Sequence, residues 1–161
     1  CFISNLYDKL ITPEFINSKK ACYNFHPGYL PDYRGSGAYS WAIINGESTA
    51  GVTLHLIDKD IDHGAIIDRR VFPIKDTDTA ETLFHQAEEV IFQMFKNWWS
   101  RMIDGQHDLQ PNLGGRVYLR KELDKAKDLT RFARAFTFEG KDKAYYYDSK
   151  GKKINLNYHA S

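Results

Sequence analysis

The longest patterned segment in the chain sets the first constraint on its fold. Residues 78–104 place Leu83, Ala87, Val90, Ile91, Met94, Phe95, Trp98 and Met102 at helical spacing, and Gly105 follows as a stop. Asp78 and Glu81 read as a capping-box-like start. Phe84, Phe92, Phe95, Trp98 and Trp99 read as core aromatics of that helix. Upstream, helices alternate with strands. Thr12-Pro13-Glu14 opens a helix to about Lys20, with Thr as cap and Pro in the first turn. Residues 21–25 form a short buried strand, 26–37 a loop with two prolines and three glycines, and 38–44 a short helix ended by Asn45-Gly46. Strands follow at 50–57 and 65–72 around a polar turn at 58–64. This alternation predicts an α/β sheet.

The remainder is a different kind of sequence. An irregular stretch holds Pro111 and Gly114-Gly115, a short helix covers about 124–135, and Tyr145-Tyr146-Tyr147 pairs with 153–156 across a turn containing Gly151. The expected division is 1–110 as one domain and 111–161 as an appended extension. The tyrosine run stands beside Lys150, Lys152 and Lys153, as in a stacking platform for nucleic acid. Lys+Arg is 22 and Asp+Glu 21 in 161 residues, a net charge of +1, and that balance favours a strand with alternate tyrosine faces buried. It also argues against a nucleic-acid coat or a polybasic membrane binder. Hydrophobic residues make up 42% and charged residues 27%, a composition that buries a core rather than staying disordered. No apolar run reaches the roughly 20 residues of a membrane span. Cys1 and Cys22 cannot build a disulfide framework, so a reducing cytoplasm is the expected compartment. The strand-like start at Cys1-Phe2-Ile3 reads as a strand entered midway, with a native N-terminus expected before it.

The densest chemistry is Asn24-Phe25-His26-Pro27. Strand alternation puts Asn24 and His26 on one face, at the strand-to-loop handover where open α/β sheets keep their ligands. A neutral donor beside a titratable ring suits an oxyanion and a proton carrier. A histidine capping a loop and an asparagine holding a turn explain the same residues. The turn 58–64 alternates acids, but its glycine falls one place late for a calcium loop and Arg69 stands where that loop needs Glu. Cys22, His26, His55 and His63 lack zinc spacing, so no metal is expected. A carboxylate on this tight turn can orient an imidazole; a solvated acidic turn is the plainer alternative. Gly35-Ser36-Gly37 before a helix is a weak phosphate cradle, and Arg34 suits either an anion or Asp32.

The run Asn24-Phe25-His26-Pro27-Gly28-Tyr29-Leu30-Pro31-Asp32-Tyr33-Arg34-Gly35 resembles the signature of the folate-dependent formyltransferases. Gly51-Val52-Thr53-Leu54-His55 and Asp62-His63-Gly64-Ala65-Ile66-Ile67 resemble two further segments of that family in the right order, with 62 − 26 = 36 residues between His26 and Asp62. Arg134-Ala135-Phe136-Thr137-Phe138 is similar to a later element, except that Glu139 replaces a usual proline. The resemblance implies a Rossmann-like catalytic domain, of which this is the C-terminal part, with the short helix and hairpin appended. It implies Asn24, His26 and Asp62 as catalytic residues, with Asn24 and a charged His26 facing the oxyanion and Asp62 holding that charge. It implies N10-formyltetrahydrofolate as co-substrate, contacted by Lys9, Leu10, Ile11, Asp58, Asp60 and Ile61. The short tail is most similar to nucleotide-sugar N-formyltransferases, in several of which the terminal hairpin forms a homodimer interface. The implied acceptor is a nucleotide-linked amino sugar of bacterial surface polysaccharide, such as O-antigen. Methionyl-tRNA, glycinamide ribonucleotide or water as acceptor, or a non-catalytic folate-binding remnant, are the competing readings.

Overall fold

A computed structural model of the chain describes residues 1–5, 11–119, 128–147 and 150–158. In chain order the elements are β1 (Phe2–Asn5), α1 (Pro13–Asn17), β2 (Cys22–His26), β3 (Arg34–Gly35), α2 (Ala38–Asn45), β4 (Thr49–Leu56), β5 (Ile66–Pro73), α3 (Ala80–Asp104), β6 (Val117–Tyr118), α4 (Leu129–Ala135), β7 (Tyr145–Tyr147) and β8 (Lys153–Asn155). The central sheet has the order β1-β2-β4-β5. β1 runs parallel to β2, and β4 is antiparallel to both β2 and β5. This mixed sheet with helices packed on it is the expected α/β architecture. Thr12 caps α1, its hydroxyl accepting the Phe15 N–H at 3.3 Å, but the helix closes at Asn17 rather than Lys20.

α3 provides most of one layer. Leu83, Ala87, Ile91, Met94 and Met102 are buried against Tyr23, Phe25, Val52 and Leu54 of the sheet. Each large side chain fully buried there contributes about 1.5–3 kcal/mol. Two polar contacts pin the helix laterally: Tyr23 Oη donates to the Met102 carbonyl at 3.0 Å, and Trp98 Nε1 donates to Asp68 at 2.8 Å.

Two expectations for α3 need correction. The capping box is built by Thr79 and Thr82, whose hydroxyls accept each other's backbone N–H at 3.2 and 2.9 Å. Asp78 instead accepts from the Lys75 N–H and the Thr82 hydroxyl, and Glu81 accepts from the Glu139 N–H. A threonine pair satisfies the same two donors as the usual Thr–Glu pair, one residue later. The aromatic stripe is also not all core: Phe92 is 54% and Trp99 45% exposed, on the side turned from the sheet.

The tail returns to the sheet. Gln110 bridges Ile66 through both backbone hydrogen bonds, and β6 pairs parallel to β3. Pairings of two residues leave no alternation in sequence, so β3 and β6 were not anticipated. α4 lies on α2, where the Ser40 hydroxyl donates to the Ala135 carbonyl at 2.8 Å. Its start is Asp128, which accepts the Thr130 and Arg131 N–H groups; the expected turn at 124–127 lies outside the described residues. β7 and β8 form the expected hairpin. The expected burial of alternate tyrosines does not hold: Tyr145, Tyr146 and Tyr147 are 42%, 41% and 63% exposed. Among the described residues no further layer covers this hairpin. Its anchor is Ala144, buried beside Trp41 and Phe132 and accepting the Leu156 N–H at 2.7 Å.

Candidate active site

β2 carries Asn24 and His26 to its C-terminal end, and the tight turn after β4 brings Asp62 back over them. Gly64 permits this return, because a Cβ there would collide with the Leu56 carbonyl oxygen. Asp62 itself adopts φ 46°, a left-handed conformation of the kind that collects at functional sites. Its Oδ2 accepts the Gly35 N–H at 2.8 Å and lies 3.4 Å from His26 Nδ1. Its Oδ1 accepts from Asn24 Nδ2 at 3.5 Å and lies 3.6 Å from His55 Nε2. The three residues anticipated as catalytic thus converge on one carboxylate.

His26 is 4% exposed and has both ring nitrogens engaged. Nε2 lies 2.7 Å from the Tyr33 carbonyl, which only accepts, so Nε2 carries a proton and Nδ1 faces Asp62. Burial pushes this imidazole below its ordinary value; the Asp62 carboxylate and the Tyr33 carbonyl oppose that shift without cancelling it. Burial also raises Asp62, but the imidazoles beside its two oxygens and the Gly35 N–H outweigh it and lower the carboxyl to about 2. Asp62 is therefore ionised at neutral pH.

Other residues build this geometry. Thr53 holds the 27–33 loop by donating to the Gly28 carbonyl at 2.7 Å and accepting the Leu30 N–H at 3.0 Å. Asn112 Nδ2 donates to the Asp62 and Gly64 carbonyls at 3.0 and 2.8 Å, and Arg34 donates to Asn112 through its carbonyl and Oδ1. Arg34 is 8% exposed, so it serves as a buried strut rather than as an anion grip or a partner of Asp32. His55 and Asn112 were not anticipated as site residues. His55 stands in the quoted Gly51–His55 segment, two residues from Thr53 on the same strand face, which was signal enough to find it. Asn112 sits in an irregular stretch whose role depends on a contact about fifty residues away.

Asn24, His55 and Asp62 line a cavity of about 320 Å³ together with Ile11, Asp58, Asp60 and Ile61. Four of the expected folate contacts therefore share one cavity with Asn24 and Asp62; Lys9 and Leu10 lie outside the described residues. His26 stands behind Asp62 and is not part of this wall as described. Asp58 organises the rim, pairing with His63 Nδ1 at 2.8 Å and accepting the Asp60 N–H at 3.0 Å. A larger cavity of about 510 Å³, lined by Tyr29, Tyr33 and Tyr39, opens across the 27–33 loop and contains none of the converging groups. The chemistry belongs to the smaller one.

A formyl transferase family model matches residues 2–96, and the chain belongs to that family. It is 41% identical over 101 residues to the GDP-perosamine N-formyltransferase of Brucella melitensis, covering 57% of this chain and 39% of that protein. The chain thus spans about two fifths of the length of that relative. The fold matches a 4-N formyltransferase from Francisella tularensis at TM-score 0.86 and 22% identity, over 99% of this chain and 70% of that one. An N-formyltransferase from Helicobacter canadensis, solved with folinic acid and dTDP-3-aminofucose, matches at TM-score 0.74 and 29% identity, over 86% and 55%.

Proposed function

We propose that this chain carries the catalytic core of an enzyme that moves a formyl group from N10-formyltetrahydrofolate to the amine of a nucleotide-linked amino sugar. The observation that carries this reading is one ionised carboxylate held between two imidazoles and an amide on the wall of a cavity at the strand ends. The similar proteins that act on GDP-perosamine or were solved with dTDP-3-aminofucose support the acceptor class. The cavity fits the co-substrate chemically: Ile11 and Ile61 offer apolar walls for a flat ring, and the 58–62 turn offers polar backbone and carboxylates for its edge. Lys9 and Leu10 complete the proposed contact set.

In the reaction a bond forms between the acceptor nitrogen and the formyl carbon, the bond from that carbon to folate N10 breaks, and the amine proton ends on N10. Asn24 turns the N–H of its long 3.5 Å contact with Asp62 to the formyl oxygen as negative charge develops there. His26 and Asp62 form the proton-handling pair, the carboxylate stabilising the imidazolium while the proton is in transit. Residues 1–110 hold the reacting groups and 111–161 form the extension, whose Asn112 reaches back to hold the Asp62 turn. The exposed tyrosines of β7 support a homodimer through the terminal hairpin. The role in surface-polysaccharide, including O-antigen, biosynthesis implies a cytoplasmic site of action; among the described residues no helix is long and apolar enough to cross a membrane.

The test is a transfer assay read by mass spectrometry, with N10-formyltetrahydrofolate and a panel of amino-sugar nucleotides, glycinamide ribonucleotide and methionyl-tRNA. A formyl mass gain on one amino-sugar nucleotide, lost in Asp62→Asn, is the expected result. A gain on another acceptor, or formate released with no amine present, would replace this reading with the corresponding transferase or with a hydrolase.

A further inference from the structure

We propose that His55 is a positioning residue of the site, the group that fixes the Asn24 amide against Asp62. The catalytic consequence rests on the formyl-transfer reading above; the geometry does not. His55 Nδ1 lies 2.6 Å from the Leu56 carbonyl, which only accepts, so Nδ1 carries a proton and Nε2 is left to accept from the amide nitrogen 3.2 Å away. Asn24 Nδ2 sits 3.2 Å from this Nε2 and 3.5 Å from Asp62 Oδ1, and the two acceptors are 3.6 Å apart. Only the nitrogen end of an amide is tolerated between two lone pairs; the oxygen end would be repelled by both. His55 and Asp62 therefore decide together which end of Asn24 lies at the carboxylate.

The placement is built into the sheet. Asn24 and His55 are direct partners across β2 and β4, and the β4–β5 register shifts between Leu54 and His55. Irregularities of this kind re-aim side chains beside active sites. His26 cannot substitute, because its Nε2 is held by Tyr33 and its Nδ1 meets the other carboxylate oxygen. A filler role leaves the arrangement unexplained: His55 is 2% exposed, and an aliphatic side chain would fill that space without needing two polar partners. The charged and titratable groups facing this region are Asp62, His26 of β2, and Asp58, Lys59 and Asp60 around the cavity.

Two measurements test the proposal. Long-range proton–nitrogen spectra of the ¹⁵N-labelled chain should show His55 as the Nδ1–H tautomer at neutral pH; an Nε2–H tautomer or a doubly protonated ring overturns it. His55→Gln places an amide oxygen near the Nε2 position and so keeps an acceptor, whereas His55→Leu removes it. In the transfer assay His55→Leu should lower kcat about 10- to 100-fold with donor KM within about twofold, as for a misplaced catalytic group. His55→Gln should restore kcat to within about fivefold of wild type. Full activity in folded His55→Leu, or a folded His55→Gln no better than His55→Leu, overturns the positioning role. If the wild-type chain transfers no formyl group, the functional reading fails, and the tautomer with the Asn24 side-chain amide signal in the two variants still decides the geometry: that signal should shift in His55→Leu and stay near wild type in His55→Gln.

Discussion

Asp62 concentrates the molecule's electrostatics at the residue scale. Its carboxyl falls from 3.8 unfolded to about 2 in the fold, so it contributes stability above pH 4 that is lost as pH drops toward 2. The contribution is about 2 kcal/mol. His26, depressed from 6.5 chiefly by burial, adds stability in the same sense, lost from pH 6.5 downward. Urea midpoints measured from pH 7 to pH 2 should therefore fall in wild type, and between pH 4 and pH 2 less steeply in Asp62→Asn. On the proposed function, Asp62→Asn should lower kcat at least about 100-fold in the transfer assay with donor affinity nearly unchanged, as for a group that acts in the chemical step. Asn24 and His26 were legible from one strand's alternation, and the family resemblance singled out Asp62 among the acids of the tight turn. Their convergence was not, because no local pattern states that Oδ1 and Oδ2 of a single carboxylate divide the other groups between them.

At the scale of elements, α3 shows how periodicity and capping carry different information. Its buried positions follow the 3.6-residue repeat, so Leu83 to Met102 could be read directly. Its start could not be read as well, since Asp78, Thr79, Glu81 and Thr82 all offer capping oxygens and only the backbone path selects among them. Thr79→Ala should cost about 1 kcal/mol in denaturant unfolding, with Thr82→Ala close behind, whereas Glu81→Gln, away from the capping box, should fall within about 0.5 kcal/mol. Met94→Ala, which opens space between α3 and the sheet, should cost about 2–5 kcal/mol. The hairpin β7–β8 was recognised by its turn and its β-formers, yet the burial of its tyrosines depends on what packs against it, which lies beyond the reach of a strand pattern.

For the whole molecule, the segment after Gln110 is what ties the turn at Asp62 to the rest of the structure. Asn112→Ala removes both donors to that turn and strips one of two partners, Oδ1, from a buried guanidinium. It should cost about 2–4 kcal/mol and reduce transfer, read by thermal unfolding and by the formyl assay together. The homodimer proposed through the hairpin makes a separate prediction: sedimentation should show a concentration-dependent dimer, weakened by paired Tyr145→Ser and Tyr147→Ser substitutions with the monomer fold retained. The chain's local chemistry by itself determined the α/β class, the long helix and the turn glycines, because these are properties of neighbours in sequence, and the family resemblance added the three catalytic candidates. The tertiary structure alone decided that Arg34 is a strut, that His55 faces Asn24 and that Asn112 holds the turn. Those roles rest on contacts between residues 31 to 78 positions apart, which only the folded sheet brings within hydrogen-bonding range.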